Sequence, residues 1–345
     1  MRNATLLGLS VLAVALLAAA PLIAPAQDAG SVAPNPATST ATPTTAMPAA
    51  SAAKAPPLPL LWKLSDADNA VYLLGSFHLL KPDDYPVSKD IDNAFAAADK
   101  LVFEVPPAEI SDPAVGQKAL LAAGYGDART LSTVLPPDLR DKFSAMLAQR
   151  GGSIAQLDAY EPWFVNLSLV MGVSQAMGFR AENGLDQHLM RQAATAGKPT
   201  SGLETIDVQL RTLDSTPMAE QIVSLQEFVD EPQKMPGLLS ELHQAWRDGD
   251  LAKLDEMTRG EMLAKTPETY RLLNVVRNDA WMPQIRALLD GSKTDDTLVV
   301  VGAMHLLGPD GLVDRMRAGG YKVERVCSAC TGLKAEKAVA PAANQ

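Results

Sequence analysis

The chain is 345 residues long and 47% hydrophobic, with 30 Lys plus Arg against 40 Asp plus Glu. This suits one large domain or two small ones and is enough to bury a sizeable core. A formal net charge of −10 and the lack of any Lys/Arg-rich run argue against a nucleic-acid partner, which needs a basic surface.

The N-terminus has one early positive charge at Arg2, an apolar stretch from Leu6 to Leu17 and a small-residue site at Ala24-Pro25-Ala26. That is the pattern of a cleavable signal peptide over residues 1–26. An uncleaved anchor is the competing reading, but the stretch is short for a span. The expectation is a periplasmic or secreted protein with no stable membrane span after cleavage. Residues 27–57 are rich in Ala, Pro, Ser and Thr and nearly free of large apolar side chains. They cannot offset their own ordering entropy and read as a disordered linker. A folded body follows over residues 58–330, then a loose tail over 331–345.

Within the body, Leu60 to Leu64 and Val71 to Gly75 flank the turn-rich SDADNA and predict a β-hairpin. Ile91 to Ala98 reads as helix, and KLVFEV (Lys100 to Val105) as a third strand stopped by Pro106-Pro107. The middle is helical. Leu139, Phe143, Met146 and Leu147 share one face, and Gly151 closes that helix. Pro162 opens the apolar segment PWFVNLSLVMGVSQAMGF, whose Asn166, Ser168, Ser174 and Gln175 favour a buried helix over a membrane span. Further helices are expected near Leu185 to Thr195, Met218 to Phe228, Leu238 to Arg247 and Tyr270 to Leu289. The chain then returns to a valine-rich strand (Asp296 to Val301), a short helix (Asp310 to Arg317) and a last strand (Tyr321 to Val326). The two cysteines, Cys327 and Cys330, follow that strand. In an exported chain such a pair points to a structural disulfide, with redox chemistry or reduced thiols as alternatives; a zinc site would need two more ligands.

Two of the four histidines occupy matching contexts, VYLLGSFH and TLVVVGAMH, each a strand followed by Gly-x-x-His. If both strands lie in one sheet, His78 and His305 gather at its carboxyl edge, where ligands bind in open α/β sheets. Gly75 and Gly302 would permit a sharp turn with positive φ or a close backbone approach. Two imidazoles there suit a borderline transition metal. Glu104, near the end of the third strand between Phe103 and Val105, is a buried carboxylate that needs a partner. Two histidines and one carboxylate form a ligand set of hydrolytic metals. The bland alternative is that each histidine is a satisfied core or loop residue. His188 and His243 fall on predicted helices and read as surface or packing residues. Neither unit belongs to an H-E-x-x-H helix, which excludes zincin geometry.

The blocks LLGSFHLL, LVFEVP, YEPWFVNL, GLDQHLMRQAATAGKPTSGLET, LLNVVRNDAWMPQI and VVVGAMHLLGPDGLVDRMRAGGYKVERV resemble, in that order, those of the TraB/PrgY/GumN family, which includes the Tiki metalloproteases. The resemblance spans Leu58 to Val326. It implies an α/β (α+β) fold of the Tiki/erythromycin-esterase/ChaN-like type, with strands from both ends of the domain bracketing a long helical insert. It also implies a metal-dependent hydrolase, most simply a peptidase acting on a peptide or small-molecule substrate. The divalent transition metal would be manganese or cobalt by resemblance, with zinc or iron as alternatives. Carried over, the site residues are His78, His305, Glu104 and Arg277. Glu104 is a metal ligand or the general base on the activated water. Arg277 would hold a carboxylate or developing oxyanion. Asp186 and Glu204 read as structural or supporting residues. The alternative on the same fold is a non-catalytic metal-, haem- or peptide-binding protein, or a polysaccharide or envelope assembly factor. The sequence does not fix the oligomeric state.

Overall fold

A computed structural model describes residues 54–330 except Ser292. The expected signal peptide, the linker up to residue 53 and the tail lie outside the described residues. The last linker residues lie against the body. Pro57 is buried, and the Ala55 carbonyl accepts a hydrogen bond from Arg247 Nη2 at 2.7 Å.

The chain adopts a mixed α/β architecture around one six-stranded sheet. The strands are β1 (Leu61–Ser65), β2 (Ala70–Ser76), β3 (Lys100–Phe103), β4 (Thr200–Gly202), β5 (Thr297–Gly302) and β6 (Lys322–Arg325). Their order is β4-β3-β5-β2-β1-β6. The hairpin forms as expected: β1 pairs antiparallel with β2, and Asp66 Oδ1 accepts the Asp68 and Asn69 amides in the turn, each at 3.1 Å. β6 adds antiparallel to β1. The other pairs, β2 with β5, β5 with β3 and β3 with β4, are parallel.

β5 is buried at every position, which is why it reads as a continuous apolar run rather than an alternating one: both faces of a parallel strand are covered. In its register with β2, Gly75 faces Val301 and Ser76 faces Gly302. The two Gly-x-x-His units therefore leave neighbouring strands at one level. β3 lies on the other side of β5, with Phe103 opposite Val300, and Glu104 follows at that same edge. The third strand thus ends two residues before the expected Val105.

Neither glycine of these units turns the chain by a positive φ. Gly302 has φ −55 and ψ 139, and Gly75 is not among the glycines of positive φ. Gly75 is needed for close approach instead: a Cβ there would stand 3.0 Å from Leu60 Cβ and 3.2 Å from Ala303 Cα.

Between β3 and β5 runs the helical insert, broken in the sheet only by the short β4. The helix Pro162–Ala176 buries Trp163, Phe164, Val165, Asn166 and Leu167 in its first turns, and buried Ser174 donates to the Val170 carbonyl at 2.8 Å. Among the described residues no helix is long and apolar enough to cross a membrane. Pro267–Tyr270, Arg271–Val276 and Arg277–Asp290 succeed one another without a break, and the middle segment is π-wound. π-bulges of this kind often mark functional positions, and Arg277 directly follows this one. At the far end Cys327 and Cys330 are joined in a disulfide.

Candidate functional site

His78 follows β2, and its loop is held from several sides. Trp246 Nε1 donates to the Gly75 carbonyl at 3.2 Å, and the Leu185 amide donates to the Phe77 carbonyl at 3.2 Å. Gly184 packs so close that a Cβ would stand 2.3 Å from the His78 carbonyl oxygen. Asp186 Oδ1 accepts from Ser76 Oγ at 2.9 Å and bonds His78 Nδ1 at 3.0 Å. Since a carboxylate only accepts, Nδ1 carries the proton and Nε2 keeps its lone pair in the neutral ring. That Nε2 is buried and has no hydrogen-bond partner.

His305 lies in the short 3-10 turn Ala303–Leu306 after β5. Its Nδ1 bonds Asn278 Oδ1 at 2.9 Å. The Asn278 amide nitrogen donates to the carbonyls of His305 (3.2 Å) and Asp310 (2.9 Å), which fixes the side chain with its oxygen toward the imidazole. His305 Nε2 is left as an acceptor and takes Arg277 Nη1 at 3.0 Å. The two imidazoles are therefore set alike, with Nδ1 anchored to a neighbouring oxygen and Nε2 turned toward Glu104: each Nε2 lies 3.9 Å from Glu104 Oε1.

Glu104 Oε1 accepts the Gly302 amide at 2.6 Å; Oε2 accepts Arg277 Nη2 at 2.6 Å and Gln209 Nε2 at 3.2 Å. Burial alone would push this carboxyl up. Arg277, His305, His78 and the Gly302 amide more than reverse that and hold it at about 2. His305 moves the opposite way to its twin. Burial and the facing Arg277 guanidinium depress it to about 3. In His78 burial also disfavours the cation, but Asp186, reinforced by Glu104, raises it on balance.

Arg277 is buried rather than displayed on a helix surface. Its Nε and Nη2 grip Glu204 at 2.7–3.2 Å, Nη2 also reaches Glu104, and Nη1 reaches the Leu273 carbonyl at 3.2 Å and His305. The five N–H donors of a guanidinium all have acceptors here. A bound oxyanion could use this fork only by displacing one of them. The guanidinium stacks over Trp281 at 4.6 Å, and Trp281 lies 4.5 Å from the His305 ring.

The residues singled out in the sequence, His78, Glu104, His305 and Arg277, thus stand together, with Asp186 and Glu204 supporting them. Sequence reasoning missed Gln209 and Asn278. Asn278 directly follows Arg277 in VVRND, and its polar type on a buried helix was the available signal. It also missed the cluster behind the His78 loop, where buried Asp84 is held by His243 Nε2 at 2.9 Å and by Arg247. His243 packs edge-on to Phe179 at 4.9 Å. His188 lies outside the site, 4.6 Å from the Tyr85 ring.

A pocket of about 280 Å³, partly open to solvent, adjoins the cluster, with His78, Glu104, Asp186 and Gln209 in its wall. The donor chemistry fits a divalent transition metal: two imidazole Nε2 atoms, one of them unpartnered, face one ionised carboxylate. Among the described residues no group of three or more His, Cys, Asp or Glu forms a preformed cage.

Residues 60–325 match the TraB/PrgY/gumN family. The chain belongs to this family. A relative from Escherichia coli (strain K12), named "Uncharacterized protein YbaP", is 23% identical over 246 residues, covering 71% of this chain and 87% of that protein. The protein of the same name in Shigella flexneri matches to the same extent. No solved structure matches. The TraB/PrgY/gumN match takes in all six strands and every residue of the cluster, so the Gly-x-x-His units, Glu104 and Arg277 belong to the family region of the chain.

Proposed function

We propose that the protein is an exported metal-dependent hydrolase, most simply a peptidase, with its centre at His78, His305 and Glu104. The observation that carries the reading is the pair of Nε2 atoms facing Glu104 Oε1, with the buried His78 Nε2 unpartnered. His78 Nε2, His305 Nε2 and Glu104 would hold the ion. When bound, a divalent transition metal supplies Lewis acidity and makes water a nucleophile near neutral pH. Asp186 and Asn278 keep the imidazole lone pairs turned inward, so binding demands no tautomer change. Glu104, ionised far below neutrality, supplies the negative charge that two neutral imidazoles lack. Its position beside the pocket also suits it to accept a proton from an attacking water. Gln209 and the Gly302 amide fix the orientation of that carboxylate. Arg277 keeps Glu104 and Glu204 together as ions, and releasing one contact would free a donor for a substrate oxygen. Export is supported by the N-terminal signal-peptide pattern.

A second reading is a non-catalytic metal- or peptide-binding protein, favoured by the fully occupied guanidinium of Arg277, which leaves no ready oxyanion donor. One experiment addresses both. The purified chain is incubated with manganese, cobalt, iron or zinc, its metal content is measured, and a fluorogenic peptide library is offered, alongside His78→Ala/His305→Ala. About one equivalent of metal, lost in the variant, with metal-dependent cleavage is the expected result. Metal without cleavage of any peptide would select the binding reading. Equal metal content in both proteins would remove the centre.

A further inference from the structure

A second, small pocket, partly open to solvent, lies in the helical insert, with Trp163, Asn166, Leu213, Gln221, Thr269 and Leu273 among its walls. It adjoins the His/Glu cluster through two shared elements. Leu213 is one turn beyond Gln209 on the helix Ile206–Asp214, and Gln209 bonds Glu104. Leu273 belongs to the π-wound turn, and its carbonyl accepts Arg277 Nη1.

Most polar groups of this pocket are already committed. Gln221 Oε1 accepts the Trp163 amide at 3.1 Å, and its Nε2 donates to Glu161 Oε2 (3.0 Å) and the Thr216 carbonyl (2.9 Å). Thr216 Oγ1 donates to the Leu213 carbonyl, and Ser224 Oγ to that of Glu220. Two of its groups, Trp163 Nε1 and Asn166 Oδ1, are buried with no partner. The two residues are 8% and 7% exposed, so each orphaned group carries an uncompensated desolvation cost. They stand three residues apart on one helix, hence on one face.

We infer that this pocket is a subsite that binds an uncharged amide of a peptide substrate, a side-chain carboxamide or a peptide bond, against Trp163 and Asn166. The inference rests on the hydrolase reading only in calling the pocket a substrate subsite. An indole N–H donates and cannot accept, so the ligand must bring an acceptor. Asn166 Oδ1 accepts, so the same ligand must bring a donor. An amide has both; an ester lacks the donor. Every side chain in the wall is uncharged, so an ion entering it would lose its hydration without a counter-charge. The carboxylates of Glu161, which accepts from Gln221, and Glu220, which accepts the Thr269 amide at 2.6 Å, oppose a bound carboxylate further. An ammonium group brings no acceptor for the indole.

The test labels the chain with 5-fluorotryptophan, which gives one fluorine resonance for each of its four tryptophans. Trp163→Phe identifies the Trp163 signal by its loss. N-methylbutyramide is titrated over about 1–50 mM, the affinity range of so small a ligand, beside butyrate and methyl butyrate. The expected result is a saturable shift of the Trp163 signal alone, given by the amide, absent with the acid and ester, and abolished by Asn166→Leu. No saturable shift, or equal shifts from all three probes, overturns the subsite. If Trp163→Phe does not fold, saturation-transfer signals from the amide compared between wild type and Asn166→Leu give the same decision: no difference overturns the proposal. A Gln-containing tripeptide and N-acetylglucosamine then separate sources of the amide, and tighter binding of the sugar overturns the peptide assignment. The titration is repeated on His78→Ala. An unchanged shift there leaves the subsite standing even if no hydrolysis is ever found, while loss of the shift in wild type leaves the metal centre untouched.

Discussion

Arg277 Nη2 lies 2.6 Å from Glu104 Oε2, and both residues are buried. The same nitrogen is 2.7 Å from Glu204 Oε1, so one interior cation serves two interior carboxylates. Replacing it with Met strands both charges. Loss of one partner from a buried ion pair costs roughly 3–5 kcal/mol. Arg277→Met is expected to lose about that much in urea unfolding, and Arg277→Met/Glu204→Gln to recover part of it. Arg277→Lys should not restore the wild-type value, because an ammonium cannot present the planar fork that grips Glu204. A Met variant as stable as wild type would mean that the carboxylates are not ionised together.

Asp186, through its bond to Nδ1, fixes which nitrogen of His78 is bare. Asp186→Asn keeps the shape and weakens the hold on the Nδ1 proton. The expected outcome is a loss of about 10–100-fold in metal affinity, read by chelator competition, with little change in unfolding. Unchanged affinity would show that His78 is not a ligand through Nε2.

Gly184 and Gly172 make a matched pair for the backbone. A Cβ on Gly184 would press on the His78 carbonyl oxygen at 2.3 Å and its carbon at 2.8 Å, whereas one on Gly172 meets nothing within 4 Å. Gly184→Ala should destabilise by about 1–3 kcal/mol and lower metal occupancy by displacing the loop. Gly172→Ala, on an exposed turn of the helix Pro162–Ala176, should stabilise by about 0.5–1 kcal/mol. Thermal melts of the two variants moving in the same direction would contradict the packing described.

Burial opposes ionisation of Asp84, but His243, the Lys81 amide and Arg247 outweigh it and lower its pKa overall. A depressed carboxyl contributes stability that is complete above its unfolded value, near 3.9, and is lost as pH falls through the lower folded value. Unfolding measured from pH 6 downward should therefore show a steeper acid limb in wild type than in Asp84→Asn, which is less stable at pH 6. Parallel limbs would remove Asp84 from the acid response.

The hairpin, the valine-rich β5 and the two Gly-x-x-His units were legible because each is a local pattern: alternation, a turn cluster, or an apolar run ending in glycine. Glu104 was legible as a carboxylate among apolar neighbours. The three-residue β4 was not, because two of its residues, Thr200 and Ser201, are exposed and it exists only by pairing with β3. Gln209, Asn278 and the Asp84–His243–Arg247 cluster were hidden for a related reason. Their partners lie 27 to 163 residues away, and no local period reports a contact that the topology creates. Arg277 reads as an ordinary helix residue until the insert folds it inward.

β5 is the central strand of the parallel ladder yet is made almost last. Before it emerges, β2 has only β1 for a neighbour and β3 only the short β4. At about 5–20 residues per second, the stretch from Phe103 to Thr297 occupies a ribosome for roughly ten to forty seconds. Throughout that interval the nascent chain holds His78 and Glu104 on separate, unclosed pieces with open strand edges. Assembly of the proposed centre is thus timed by synthesis: no fragment that ends before β5 and the His305 turn can bring all three groups together.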